Sequence, residues 1–162
     1  SMQSKLKSKE EIEQISNKLK SQNKVIVTTN GSFDILHPAH INLLKKAKEQ
    51  GNVLIVLLNS DDSIKKLKGP ARPIMTEKDR AVIIAALESV DYVVIFNEEK
   101  PLELLKTIKP NKHVKGGSFI PQRIKEEKTL LEQWNGQFIS LPLENGYSTT
   151  NIIEKIKESL KD

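Results

Sequence analysis

Apolar residues along this chain alternate between two textures: short unbroken runs, and longer segments where they return every three or four residues. KVIVTT (24–29) is a β-branched run that stops at Asn30-Gly31, which predicts a buried strand. NVLIVLLN (52–59), DYVVIF (91–96), KHVK (112–115) and GQFISLPL (136–143) predict four more. Between the runs the period lengthens to that of helices. An N-terminal helix is predicted within 3–23, with its pattern strongest over 8–22. After the first strand, Ile41, Leu44, Ala47 and Lys48 share a stripe that ends at Gly51, a natural helix C-cap. TEKDRAVIIAALESV offers Thr76 as N-cap and Val82, Ile83, Ala86 and Leu87 at helical spacing. PLELLKTI predicts a further helix, and a last one after YSTTN turns Ile152, Ile153, Ile156 and Leu160 inward. SDDSIKKLKGPARP, with Gly69, Pro70 and Pro73, reads as a polar loop. Strand and helix alternating in this way predict one α/β domain over 1–162: a Rossmann-like, doubly wound, five-stranded parallel sheet with helices on both faces.

Composition narrows the class. A chain of 162 residues can bury an ordinary core without staples, and the absence of cysteine excludes disulfides and thiolate metal sites. No apolar run approaches a membrane span, and the N-terminus is charged rather than signal-like, so a cytoplasmic protein with no membrane partner is expected. Ser1-Met2 reads as a tag scar. The net charge of +5 comes mostly from lysines mixed with glutamates along predicted helices, the pattern of solvated faces. With only 4% aromatic residues there is little to stack on single strands, so nucleic acid is not expected, whereas phosphorylated small molecules suit the charge.

In open α/β sheets ligands bind beyond the carboxyl ends of the strands. The unusual segments 30–40, 59–73, 115–118 and 147–151 follow the first, second, fourth and fifth predicted strands, and so fall on one edge. In GSFDILHPAH (31–40), Pro38 suits a first helical turn, which puts His37 and His40 on one face beside free backbone N–H groups. A helix N-terminus disfavours a protonated histidine unless a polyanion faces it, and the same N-terminus attracts phosphate. The pair therefore fits donors to a triphosphate. A histidine capping the loop, or half of a metal site, is the competing reading, although no third ligand and no HExxH pattern is present. Neither GxxxxGK[ST] nor GxGxxG occurs in the chain.

GSFDILHPAH resembles the first signature of the nucleotidyltransferase superfamily that includes cytidylyltransferases and phosphopantetheine adenylyltransferase, and YSTTNII resembles its last. NSDDSIKKLKGPARPI, HVKGGSF and ENGYSTTNIIEKI look most like the heptose 1-phosphate adenylyltransferase branch, in the same order from about Lys24 to Ile156. The resemblance implies an enzyme that makes ADP-heptose and pyrophosphate from ATP and D-glycero-D-manno-heptose 1-phosphate, for lipopolysaccharide and related glycans. Magnesium would accompany the ATP, a heptose kinase would act upstream, and a homo-oligomer is expected by analogy. Ala39 stands where the superfamily usually has glycine, which is acceptable if its backbone is helical and costly if φ must be positive.

The resemblance also implies roles. His37 and His40 would hold ATP phosphates, with Asn30, Gly31 and Ser32 lining the same cradle and Phe33 packing beside it. Asp34 would orient a ligand or a magnesium-bound water, or else satisfy backbone amides. Lys65 or Lys68 would supply a mobile cation, and Arg72, stiffened by prolines, a bidentate phosphate clamp. Asp61 would meet the acceptor or cap a helix, and Lys115 would approach the nucleotide or sugar phosphate with Gly116 and Gly117 permitting close contact. Ser148, Thr149 and Thr150 would start the last helix and reach a phosphate or the adenine pocket, with Asn151 and Glu154 as a capping box. The third histidine, His113, takes no role. Two alternatives stay open: a cytidylyltransferase for a polyol or amino-alcohol phosphate, and a non-catalytic nucleotide-binding protein. A class I aminoacyl-tRNA synthetase fragment is disfavoured, because no KMSKS-like loop occurs.

Overall fold

The computed structural model describes residues 5–117, 121–142 and 146–161. Its elements run α1 (Lys9–Ser21), β1 (Ile26–Gly31), α2 (Pro38–Glu49), β2 (Val53–Asn59), α3 (Asp61–Lys68), α4 (Glu77–Ala85), β3 (Tyr92–Phe96), α5 (Leu102–Ile108), β4 (Lys112–Gly116), α6 (Pro121–Glu132), β5 (Gln137–Leu141) and α7 (Thr149–Ser159). All strand pairs are parallel, in the order β3-β2-β1-β4-β5. The chain winds outward from β1 through β2 to β3, then returns past β1 to lay down β4 and β5. The reversal point, where a ligand crevice is expected, is the carboxyl end of β1 beside β4.

Both faces of the sheet are covered, as the unbroken apolar runs require. On one face Val27, Leu54, Val56 and Val93 pack with Leu44 and Ala47 of α2 and Ala81 and Ile84 of α4. On the other, Ile26, Ile55, Leu57 and Val94 pack with Ile12 of α1, Leu105 and Ile108 of α5 and Leu130 of α6. Each fully buried aliphatic side chain of this kind contributes roughly 1.5–3 kcal/mol before entropy is counted. The predicted doubly wound α/β fold is the fold observed.

Several local expectations change. The predicted loop SDDSIKKLKGPARP begins as a helix, α3, because Ser60 caps it by accepting the Ser63 N–H at 3.1 Å, acidic Asp61 and Asp62 fill its first turn and lysines its last. PQRIKEEKTLLE, given no helix by its pattern, forms α6; Ile124, Leu130 and Leu131 are enough to seat it. In α4 the buried stripe is Arg80, Ala81, Ile84 and Ala85, while Val82 and Ile83 are exposed, because the small alanines let the helix lie close to the sheet. No residue of α7 is fully buried, and Ile156 and Leu160 face solvent rather than turning inward. Ser148, not Asn151, is the α7 N-cap and accepts the Asn151 N–H at 2.9 Å. Gly51 is not a left-handed cap: Gln50 caps α2, and a Cβ at residue 51 would lie 2.7 Å from the Val27 side chain. The expected scar at Ser1-Met2, the Ser118-Phe119 end of HVKGGSF and Leu143–Asn145 before YSTTN lie outside the described residues.

Candidate active site

The segments after β1, β2, β4 and β5 all open on the carboxyl edge of the sheet, as the parallel strands dictate. β1 delivers Asn30 and Gly31 there, and the chain turns at Phe33, whose φ of 46° is rare for a bulky residue. Phe33 is buried, and its ring meets His40 edge-on at 5.4 Å. Strain of this kind is held where surrounding packing over-determines it.

Pro38 is the first residue of α2 and His37 its N-cap, in extended backbone and with no capping bond from its side chain. Freed from capping, the imidazole of His37 stacks on that of His40 with centroids 3.7 Å apart, and Tyr147 lies parallel to His37 at 5.9 Å. The Nδ1 atoms of both histidines are buried without a hydrogen-bond partner. Burial, then the neighbouring His37 and Lys68, hold the His40 pKa down at about 4, and burial lowers that of His37. Ala39 is a helical residue with no positive φ, so alanine in place of glycine costs this turn nothing.

Cations close around this pair. Lys68, in the last turn of α3, donates to Ser32 Oγ at 3.5 Å, and Arg72 donates to Thr150 Oγ1 at 3.5 Å. Partial desolvation and the Arg72 guanidinium lower the Lys68 pKa, with Asp34 opposing them. Groups that suppress one another's protonation create a strong demand for an anion. Thr149 Oγ1 donates to Ile35 O at 3.2 Å, which ties the start of α7 to the β1 loop. Lys65 is exposed one turn before Lys68 and makes no bond to this cluster among the described residues. Lys115 ends the buried part of β4 half-buried, and Gly117, at φ 84°, bonds its N–H to Leu141 O at 2.9 Å, extending the contact of β4 with β5.

The two acidic candidates are otherwise engaged. Asp34 accepts the Ile74 and Met75 N–H groups at 2.8 and 2.9 Å, so its carboxylate ties the α3–α4 loop to the segment after β1. Asp61 accepts from Arg80 Nη2 at 2.8 Å. Arg80, with no exposed side-chain surface, also donates to Ser32 O and Asn59 O at 2.8 Å and to Met75 O at 3.0 Å. One guanidinium thus joins the β1 loop, the end of β2, α3 and the α3–α4 loop. Sequence reasoning missed Arg80; its only signal is an arginine in register with Ala81 and Ile84. A recess of about 490 Å³ lined by Leu36, His37, Pro38, Ile41 and Asn42 adjoins the histidines.

Among the described residues no cluster of three or more metal-ligating side chains occurs, and no helix is long and apolar enough to cross a membrane. The chain matches the cytidylyltransferase-like family over residues 28–155. It is 49% identical over 161 residues to Bifunctional protein HldE of Aliarcobacter butzleri (strain RM4018), covering 96% of this chain and 32% of that protein. The protein of the same name from Helicobacter pylori (strain J99) is 45% identical over 151 residues, covering 93% and 32%. This chain therefore spans about a third of the length of these curated relatives. Among solved structures it is similar to the lipopolysaccharide core biosynthesis protein from Thermoplasma volcanium GSS1, with a TM-score of 0.61 and 26% identity over 77% of this chain and 99% of that one. It also shares a fold with pantoate-beta-alanine ligase from Francisella tularensis, at a TM-score of 0.62 and 20% identity over 97% of this chain and 79% of that one. The family match runs from β1 into α7 and takes in the histidine pair and the cations around it: the chain belongs to the cytidylyltransferase-like family.

Proposed function

We propose that this chain transfers the adenylyl group of ATP to D-glycero-D-manno-heptose 1-phosphate, releasing pyrophosphate and forming ADP-heptose. The observation that carries the reaction class is the stacked pair His37 and His40, with buried unpartnered Nδ1 atoms at the head of α2 and Lys68 and Arg72 nearby. A triphosphate satisfies both demands of that arrangement, hydrogen-bond acceptors and negative charge. The heptose acceptor rests on the HldE relatives and on HVKGGSF and ENGYSTTNIIEKI.

In the transfer an oxygen of the sugar phosphate attacks the α-phosphorus, the bond from that phosphorus to the bridging oxygen breaks, and pyrophosphate leaves. The attacking oxygen is already ionised, so no general base is needed. The protein's work is alignment and neutralisation of charge. His40 donates to the α-phosphate as charge builds, His37 and Lys68 hold the outgoing phosphates, and Arg72 clamps them from the α7 side. Asn30, Gly31 and Ser32 line the cradle, Lys115 and Gly116 approach from β4, and the Ser148–Thr150 turn closes the far wall. Asp34 and Asp61 act from behind, by holding the loops in place.

Magnesium travels with ATP in such reactions and neutralises its phosphates. The carboxylates here do not fit a resident metal, since Asp34 is committed to two amides and Asp61 to Arg80, so no protein ligand is assigned to it. A kinase that makes the sugar phosphate belongs upstream.

The test is pyrophosphate release with ATP or CTP, magnesium, and a panel of both anomers of heptose 1-phosphate, glycerol 3-phosphate and phosphoethanolamine. Release with ATP and one heptose anomer is expected. Strict use of CTP would replace this reading with a cytidylyltransferase, and nucleotide binding without release on any acceptor would make the chain a binding protein.

A further inference from the structure

His113 is the one histidine the transfer reaction leaves unused, and it is buried directly behind the reversal point of the sheet. On β4 it stands opposite Thr28 of β1, and strand alternation puts Asn30 on the same face, one rung nearer the ligand edge. Its Nδ1 lies 2.7 Å from Thr28 Oγ1, and its Nε2 lies 3.0 Å from Asn30 Oδ1. Phe138 of β5 packs on the ring, and Lys115 is two residues along β4. From α6, the buried Glu127 carboxylate comes to 3.8 Å of Nε2, too far to compete with Asn30 for the same proton.

One tautomer of the imidazole satisfies both contacts. Burial and Lys115 keep the ring neutral, so one nitrogen donates and the other accepts. Asn30 Oδ1 can only accept, which places the proton on Nε2, while the Thr28 hydroxyl donates to Nδ1. With its oxygen bound to His113, the amide of Asn30 keeps both hydrogens of its NH₂ group for another acceptor. We propose that His113 is a positioning residue for nucleotide binding: through the bond from Nε2 it locks the Asn30 amide so that its NH₂ group serves as a donor at the cradle. The inference rests on the adenylyltransferase reading for the identity of the ligand, but not for the position of the proton.

Three substitutions separate positioning from packing. Glutamine carries its terminal amide nitrogen near the place of imidazole Nε2, asparagine near that of Nδ1, and leucine fills the space without either. Binding of α,β-methylene-ATP to His113→Gln is expected within about twofold of the unsubstituted protein, and His113→Asn and His113→Leu roughly three- to tenfold weaker, the worth of one ordered hydrogen bond. In turnover the same two variants raise KM for ATP and leave KM for the sugar phosphate unchanged. Equal affinities for the glutamine and asparagine variants, or a shift in the sugar phosphate KM instead, would overturn the proposal. ¹⁵N NMR of the unsubstituted protein, labelled at histidine, provides a measurement independent of any variant's folding and of the reaction. A protonated Nε2 and bare Nδ1 on His113 are expected, and the reverse tautomer would overturn the proposal even if ATP is turned over. If no nucleotide binds or reacts, the functional reading fails on its own evidence, and with it the role of the lock, while the tautomer still reports whether the lock exists.

Discussion

His40 illustrates how burial in the fold sets the protonation of a candidate site residue. Its pKa falls from 6.5 to about 4, first through burial and then through His37 and Lys68. The unfolded chain therefore binds more protons than the native one between those values, and stability falls as the pH drops from 6.5 toward 4. His113, held at about 3, acts in the same direction, whereas Glu127, whose pKa burial raises, contributes stability that is lost as pH rises. Thermal unfolding across that window should show a shallower acid loss in His40→Ala than in the unsubstituted protein. The same variant should lose roughly two to three orders of magnitude in pyrophosphate release with little change in circular dichroism, the usual cost of removing a donor aimed at developing charge. Near-normal turnover would remove His40 from the reaction. The spacing of the two histidines around Pro38 was legible in the sequence; their stacking and their unpartnered Nδ1 atoms were not, since both depend on how Phe33 and Tyr147 close around them.

At the level of elements, Arg80 holds the site's loops to one another. Arg80→Met would leave half-buried Asp61 and three backbone carbonyls without their donor, and stranding acceptors in this way should cost about 3 kcal/mol in urea unfolding. Arg80→Lys should recover only part of that, because an ammonium cannot reproduce the planar fork. The α2–β2 connection offers a second test. Gly51→Ala should destabilise by about 1–3 kcal/mol through overpacking against Val27 and Val25, although the backbone there suits any residue. A neutral result would mean that the turn can shift away from β1. The positions of β1 and β2 were readable because their runs are buried on both faces. Helices α3 and α6 were not, because their polar sequences depend on a cap in one case and on a few contacts with the sheet in the other.

Across the whole molecule, stability is uneven. β1 and β2 lie inside the sheet with apolar layers on both sides, while α7 buries no residue fully and is tied down by Thr149, Thr150 and the Tyr147 ring. Hydrogen exchange should therefore be fastest among helices in α7 and slowest in β1 and β2, and saturating ATP should slow it in α7 and around Lys68. Exchange in α7 that ignores ATP would argue against its place in the cradle. At a hundred times its dissociation constant, ATP should add about 2.7 kcal/mol to stability, read as a rise in Tm.

The pattern of residues alone was enough to establish the α/β class, the five strands and the edge shared by the segments that follow them, because unbroken apolar runs and parallel connectivity leave few other arrangements. It also displayed the histidine pair, since proline and histidine at those spacings act through local backbone geometry. The partners of the charged and polar groups, by contrast, came from the folded arrangement. Asp34 became a loop clasp, Arg80 a buried tie and His113 the neighbour of Asn30, because each is defined by partners tens of residues away whose distance no local pattern encodes.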